Sequence, residues 1–436
     1  MLNAEPSSKP YTSGAPPNGG QIHALFINDT SRNGGPGRTM LDLLKFLDSS
    51  QIHRTVLVPR SGIVSERLLQ ATVLEDLLVE PDFIENLVEP FSRAIEREDF
   101  DAGIPIKAVR ATGNVLRAAR GLSRLLRRVR DDKFDVVFCN GTMANFAGGA
   151  IASFTHVPVV WHVLYPSVPP VVRSLHARLA SAANIHAIIC VSRATASQFA
   201  PVSHKVQIIP DALDIDEFSS LHIEPVLRKE LGFDNRTVVF GSHGRILRRK
   251  GFFELIQAAR VVLDNLGVDG GRCQFVVLGD TPQDLRVDHL AECRALVSQL
   301  GLDDHVRFLG FRSDVRPYLA DFDVAVAPSV YEDPLPRSIM EAMAMSKPVI
   351  AFDVGGIGEM IEDGVEGKLV CGRPPDVPGL ARACLDYFRD ENTRLQNGRS
   401  ARDRVEQSFN ARTHSRLIQD ELLRAAGAMR EKGAIA

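Results

Sequence analysis

Two carboxylates eight positions apart, Asp333 and Glu341, stand in YEDPLPRSIMEAMAMSKPVI, residues 331–350. Pro336 lies between them and suits the first turn of a helix, where its missing N–H costs nothing. The amides of Arg337 and Ser338 are then left over at the helix start and offer an anion site, reinforced by the helix dipole. Asp333, ahead of the helix, can hold a polyol beside that anion. Glu341, farther along, can accept bonds from a second diol. Hydroxylated sugar, diphosphate and ribose follow one another in that order in a nucleoside diphosphate sugar. A purely local reading also fits: Arg337 and Glu341 as an i,i+4 pair on a surface helix, with Asp333 as its cap.

A second constellation is GRILRRKGFFELI, residues 244–256, directly after the strand VVFGSH. Gly244 permits a sharp turn and Gly251 opens a helix. Arg245 and Lys250 would present a planar fork and a point charge to an anion at that helix start. The alternative is a solvated basic loop, and Arg248 and Arg249 read as solvated in either case. In DVGGIG, Gly355 and Gly356 permit close backbone approach to a ligand or form a plain tight turn. In NGGPGR, Gly34 and Gly35 can expose amides to a phosphate or an acceptor. Neither a GxGxxG fingerprint nor a GxxxxGK[ST] loop occurs, which weakens dehydrogenase and kinase readings. His162 ends the apolar strand VVWHV beside the single tryptophan, Trp161, and is structural or catalytic on position alone. His243 in GSHG is a weaker candidate. The acids of DFD, Asp321 and Asp323, precede a buried strand and read as strand-start residues, so no metal site is expected.

These residues fall in loops after strands, so the elements that carry them follow a strand–loop–helix rhythm. QIHALFIND, HRTVLVP, FDVVFCN, VPVVWHV, AIICVS and VQIIPDA are successive buried strands. RTVVFGSHG, CQFVVLGD, VRFLGF, DVAVAPS, PVIAFD and GKLV form a second set. This is the pattern of α/β proteins with parallel sheets. A chain of 436 residues exceeds one ordinary core. The reading is a Pro-, Gly- and Ser-rich disordered tail (1–20), one Rossmann-like domain (21–215), a second (216–400) and closing helices (401–436). The polar stretch 214–235 marks the boundary. Ligands bind outside the C-terminal ends of strands in such sheets.

The hydrophobic share of 44%, charged share of 24% and net charge of −3 describe an ordinary globular chain, with no global case for nucleic acid. The six cysteines form no CxxC pair and read as buried thiols of a cytoplasmic protein. No apolar run spans a bilayer, and the N-terminal segment has no signal-peptide core.

Taken in order, GRILRRKG, VVLGD, RFLGF and APSVYEDPLPRSIMEAMAMSKPVIAFDVGGIGEMI resemble the donor domain of retaining GT-B glycosyltransferases of family 4. The N-terminal half resembles that family more weakly, through its strand–GG loop, DVVFCN, VVWHV, VSRAT and IIPDALDIDEF. The resemblance implies two Rossmann-like domains facing a central cleft, the N-terminal one binding acceptor and the C-terminal one the nucleotide sugar. It maps the E-x7-E motif onto Asp333, at the transferred sugar, and Glu341, at the ribose. Arg245 and Lys250 would hold the diphosphate, with Gly244, Pro336, Arg337 and Ser338 around it. Gly310 and Phe311 would meet the base, Gly355 and Gly356 the sugar side, and His162 the donor sugar from the other domain. The C-terminal helix would cross back to the first domain.

The chain departs from the family pattern at several places. Asp333 stands for the usual first Glu, Pro336-Arg337 for Gly-Leu, and Val163 follows His162 where Asp is common. The GG loop lacks its usual nearby Glu.

The implied activity is metal-independent hexosyl transfer, with retention, from a nucleoside diphosphate sugar to a glycan or lipid-linked acceptor in surface polysaccharide or glycoconjugate synthesis. No cofactor and no metal are expected. The leaving phosphate would take the acceptor proton. Rival readings are a GT-B nucleotide-sugar epimerase and a non-catalytic scaffold that binds nucleotide or glycan.

One further stretch, residues 109–130, contains no acid. Val115, Leu122, Leu126 and Val129 form an apolar stripe, and Arg117, Arg120, Arg124 and Arg127 a basic one. Residues 115–130 would either lie on anionic lipid at the inner membrane face or pack as an ordinary solvated helix.

Overall fold

The computed structural model describes residues 20–31, 34–85, 104–219, 223–282 and 287–435. All but the last residue of the proposed tail lies outside them. Internal contacts divide the chain into two compact units. One holds the residues up to His162, with Ser174–Ile188 and Gln419 onward; the other holds Val163–Arg173 and Ile189–Ile418.

The first sheet comprises β1 (Ile22–Asn28), β2 (Ile52–Val58), β3 (Asp76–Val79), β4 (Val136–Asn140), β5 (Val159–Val163), β6 (Ile185–Cys190) and β7 (Val206–Ile208). Their order is β3-β2-β1-β4-β5-β6-β7. The second comprises β8 (Val238–His243), β9 (Cys273–Leu278), β10 (Val306–Gly310), β11 (Val324–Ala327), β12 (Val349–Asp353) and β13 (Gly367–Cys371), in the order β10-β9-β8-β11-β12-β13. Pairing is parallel in both, as in β1 with β2 and β4, and β8 with β9 and β11. Strand order therefore reverses beside β1 in one sheet and beside β8 in the other. Those reversals open the crevices in which parallel sheets take ligands.

The central strands read as unbroken apolar runs because both faces are covered. In the second sheet Phe240 stacks on Phe275 at 5.2 Å, and a Cβ on Gly241 would lie 2.1 Å from the Phe322 ring. The helix Phe252–Leu266 buries Phe252, Leu255, Ile256, Ala259, Val262 and Leu263, the spacing of one helical face.

Twelve strands coincide with the apolar runs of the sequence. The thirteenth among the described residues, β3, is missed by that reading: it has four residues, lies at the sheet edge and buries only Leu78, so DLLV carries too short a signal. The first helix begins at Gly35, inside the glycine loop and ahead of the apolar spacing at Thr39.

The Arg-rich segment lies in the helix Ile104–Asp131. Leu125 and Val129 are buried, Leu122 and Leu126 half-buried, and Val115 exposed. Arg117 donates to Asp82, and Arg124 to Glu80 and Asp82. Two of the four arginines of the predicted basic stripe thus have acidic partners from the segment after β3. Among the described residues no helix is long and apolar enough to cross a membrane. Cys371 is exposed, against the expectation for the cysteines; the other five are buried.

Candidate active site

In the second unit the buried strand β8 ends at His243, and the chain turns at Gly244 (φ +142°). The adjacent strand β9 ends at Gly279 (φ +144°), where a Cβ would lie 1.8 Å from the Gly244 carbonyl oxygen. Only glycine allows these strand ends to come together. Arg248–Lys250 then form one tight turn, closed by Gly251 at φ +76°. A Cβ on Gly251 would lie 1.6 Å from the Pro328 carbonyl oxygen, just after β11. The basic loop is therefore pressed against the segment that carries Asp333.

That contact places Lys250 Nζ 2.6 Å from Asp333 Oδ2, with side chains 20% and 6% exposed. Ser329 Oγ donates to the same oxygen at 3.3 Å. The Tyr331 ring lies 5.4 Å from the ammonium and 4.8 Å from the Arg249 guanidinium. Burial draws the Lys250 pKa down, but Asp333 and Tyr331 together outweigh it, and the ammonium ends above its ordinary value. Arg245 is exposed, and its charge bears on Lys250. Arg248 is also exposed, and bonds to Glu254 at 2.8 and 3.0 Å.

Glu341 lies on the helix Arg337–Ala344. Pro336 (φ −69°, ψ 119°) is the N-cap, one position earlier than the first turn predicted for it, and no side chain caps the helix. Ile339–Ala344 are buried. Glu341 Oε2 is 2.9 Å from His243 Nε2, and both side chains are buried. Arg337 Nε lies 3.9 Å from Glu341 Oε1, and its Nη1 donates to the Ala212 carbonyl at 2.9 Å, with Asp211 at 3.7 Å. The local reading of this motif fails. The i,i+4 pair is present, but on a buried helix tied to the 211–212 segment, and Asp333 binds Lys250 instead of capping.

The loop after β12 supports Asp333 from the other side. Gly356 N–H donates to the Asp333 carbonyl at 2.8 Å. A Cβ on Gly355 (φ +60°) would lie 2.4 Å from that same oxygen, and one on Gly356 1.9 Å from the Pro334 carbonyl oxygen. These glycines therefore serve close backbone packing. Gly310 (φ +72°) ends β10 with open space beside it, and Phe311 is 53% exposed. The second sheet thus gathers Gly244, Lys250, Asp333, Glu341, Gly355 and Gly356 at the ends of β8, β11 and β12. Gly310 and Phe311 sit two strands away from β8.

In the first unit His162 lies near the end of β5, buried. Its Nδ1 is 2.9 Å from Asn140 Oδ1, and Asn140 Nδ2 donates to Asn28 Oδ1 at 2.7 Å and to the Pro36 carbonyl at 2.9 Å. Because that amide nitrogen donates to a carbonyl, Asn140 Oδ1 is an acceptor and His162 Nδ1 must donate. Burial lowers the His162 pKa to about 3, so the ring is neutral and Nε2 carries a lone pair. Asp29, just past β1, is also buried; burial raises its pKa to about 7 although the Met143 N–H donates to it at 3.0 Å. Gly34 is extended (φ 177°) and needs no glycine-specific conformation; it precedes the helix Gly35–Phe46, which no side chain caps.

The sequence ranks His243 low and does not single out Asn28, Asp29 or Asn140. Their signal is present: each is a polar residue at the end of an apolar run, in FGSH, FIND and VFCN.

The profile described as Glycosyltransferase Family 4 matches residues 33–217, and that described as Glycosyl transferases group 1 matches 237–390. The alpha-D-kanosaminyltransferase of Streptomyces kanamyceticus is 35% identical over 163 residues, 37% of this chain and 39% of that protein. The UDP-Gal:alpha-D-GlcNAc-diphosphoundecaprenol alpha-1,3-galactosyltransferase of Escherichia coli is 22% identical over 316 residues, 68% of this chain and 77% of that one. The matched region thus spans well under half of the first relative and about three quarters of the second. Among solved structures, Anabaena Alr3699/HepE in complex with UDP superposes with a TM-score of 0.73 at 21% identity, over 92% of this chain and 99% of that one. Likeness at that identity shows the fold. With a family 4 domain followed by a group 1 domain, each on a parallel sheet of this topology, the chain belongs to the GT-B glycosyltransferases.

Proposed function

We propose that the chain transfers a sugar, with retention, from a nucleoside diphosphate sugar to a hydroxyl of a glycan or lipid-linked acceptor. The observation that carries this reading is the meeting of Lys250 with Asp333 and of His243 with Glu341 at one strand reversal. A cation and two carboxylates are held there by backbone contacts that only glycine permits.

In this reading the diphosphate takes Lys250, Arg245 and the Ser338 amide. Lys250 is then shared between Asp333 and a phosphate oxygen. Glu341, oriented by His243, accepts from the ribose hydroxyls, and Asp333 from the transferred sugar. The bond from the anomeric carbon to the phosphate oxygen breaks and one to the acceptor oxygen forms. The acceptor proton passes to the departing phosphate. Negative charge grows on that phosphate, and each fixed donor aimed at it contributes roughly 3 kcal/mol. Lys250, Arg245 and the Ser338 amide supply the donors for that charge, and the proposed reaction uses no metal. The neutral His162 accepts a bond from a sugar hydroxyl.

Named relatives and neighbours add to this reading. The Escherichia coli relative uses UDP-Gal and a diphosphoundecaprenol acceptor, and the Anabaena neighbour was solved with UDP-glucose. They favour a uridine nucleotide and an acceptor in surface polysaccharide synthesis, made at the inner membrane face. The test is thermal shift of the full chain against nucleoside diphosphates and their sugars. Wild type is compared with Lys250→Ala and Glu341→Ala, followed by product NMR. A shift with one base series, weakened in both variants, and an unchanged anomeric configuration are expected. Absence of any shift at millimolar nucleotide would overturn the donor site; intact donor after incubation with acceptors would overturn transfer.

A further inference from the structure

At the end of the first sheet opposite His162, three metal-ligating side chains from neighbouring strands converge. His23 on β1 and His53 on β2 are register partners, so their imidazoles leave the same face. Asp76 opens β3 beside them. His23 Nε2 is 2.9 Å from Thr55 Oγ1, His53 Nε2 is 2.8 Å from Asp76 Oδ2, and the two rings meet edge-on at 4.9 Å. One ligand atom from each of His23, His53 and Asp76 lies within 4.8 Å of the others. All three residues are half-buried, so an ion can reach them.

We propose that His23, His53 and Asp76 form a binding site for a divalent first-row transition ion, of which zinc is the reference. Two imidazoles and one carboxylate are the donor set that such ions take, with Thr55 Oγ1 or water completing the shell. Ligand atoms of a tetrahedral zinc site stand roughly 3.3 Å apart, from bond lengths of about 2.0 Å. His53 and Asp76 need only separate slightly to accept the ion, and His23 must turn inward. Bound metal exchanges two existing hydrogen bonds for three coordinate bonds. Asp132 and Asp135 add negative charge near His23. The consequence is mechanical. Among the described residues β3 is a four-residue edge strand that pairs with β2 alone, and a metal bridging β1, β2 and β3 fastens it.

The test uses the full chain without a histidine tag, in a Cys371→Ser background because that thiol is exposed. Cobalt(II) is titrated while the visible ligand-field spectrum is followed, and zinc is then added. One equivalent of cobalt with a nitrogen/oxygen spectrum, displaced by zinc, is expected. His53→Gln and Asp76→Asn should each weaken binding at least about tenfold. Both variants should keep wild-type circular dichroism without metal, so that a lost signal is not unfolding. A missing spectrum, or one of equal affinity in His53→Gln, would overturn the site.

Discussion

Lys250 and Asp333 are 83 positions apart in sequence, yet their charged atoms lie 2.6 Å apart in a largely buried pair. Neither residue has another opposite charge so close among the described contacts. Removing one therefore strands the other in a poor solvent. Breaking a buried pair from one side costs about 3–5 kcal/mol. Lys250→Ala and Asp333→Ala are each expected to lose about 3 kcal/mol in urea unfolding, with the double variant well short of their sum. Strict additivity would show that the pair contributes nothing as a pair.

Glycine positions near the site separate two kinds of requirement. Gly251 and Gly310 both have left-handed backbone, at φ +76° and +72°. A Cβ at Gly251 would collide with the Pro328 carbonyl, whereas Gly310 has open space. Gly310→Ala should cost only the conformational strain, about 1–2 kcal/mol. Gly251→Ala should cost clearly more and also weaken nucleotide binding, because the clash moves Lys250 away from Asp333. Equal unfolding midpoints for the two variants would contradict this.

How far the sequence foretold this site depends on the kind of contact. Strands were readable because buried parallel strands are apolar throughout, and loop residues such as Arg245, Lys250 and Asp333 stood out against them. What could not be read was pairing. His243 and Glu341 are 98 positions apart, and nothing in GSHG announces an acid. Asp333 looked like a free sugar ligand because its partner lies on another loop. Gly355 and Gly356 read as a ligand approach or a tight turn, and their close packing on Asp333 and Pro334 was not legible in the sequence. β3 was lost for a different reason: four edge residues carry neither periodicity nor burial enough to distinguish them from a loop.

Acid stability follows from two histidines with folded pKa values below the unfolded one. Burial lowers His162 to about 3 and His176 to about 4. Between those values and about 6.5 the unfolded chain binds protons that the folded chain refuses. Stability contributed by the neutral rings is thus full above pH 6.5 and lost as pH falls, by about 1.4 kcal/mol per pH unit for each ring. His162→Gln should flatten the decline between pH 6.5 and 5 by roughly 2 kcal/mol. An unchanged slope would mean that His162 is protonated in the folded chain.

Asp29 has the opposite sign. Its folded pKa of about 7 lies above the unfolded value, so the folded state holds the proton more tightly. Its burial destabilises the protein as pH rises from about 4 to 7. In Asp29→Asn the ratio of stability at pH 8 to that at pH 5 should rise relative to wild type. The variant keeps an acceptor for the Met143 N–H, so a uniform loss at both pH values would indicate a packing defect instead.

The Asn140 amide sets which His162 nitrogen bears the proton. Its Nδ2 is committed to Asn28 Oδ1 and the Pro36 carbonyl, which leaves Oδ1 to accept from His162 Nδ1. Nitrogen-15 shifts of the ring should therefore report the Nδ1–H tautomer throughout pH 5–8. Asn140→Ala removes the acceptor, and the ring should drift toward a mixture of tautomers. Activity should fall in proportion to the rings that present a donor there, about twofold or more for an even mixture, if Nε2 must accept from a sugar hydroxyl. The loss should appear in kcat more than in nucleotide affinity, since the nucleotide is held by the other unit in the proposed reaction. A tautomer mixture in the wild-type protein, or Asn140→Ala with an altered tautomer and full activity, would remove His162 Nε2 from the mechanism.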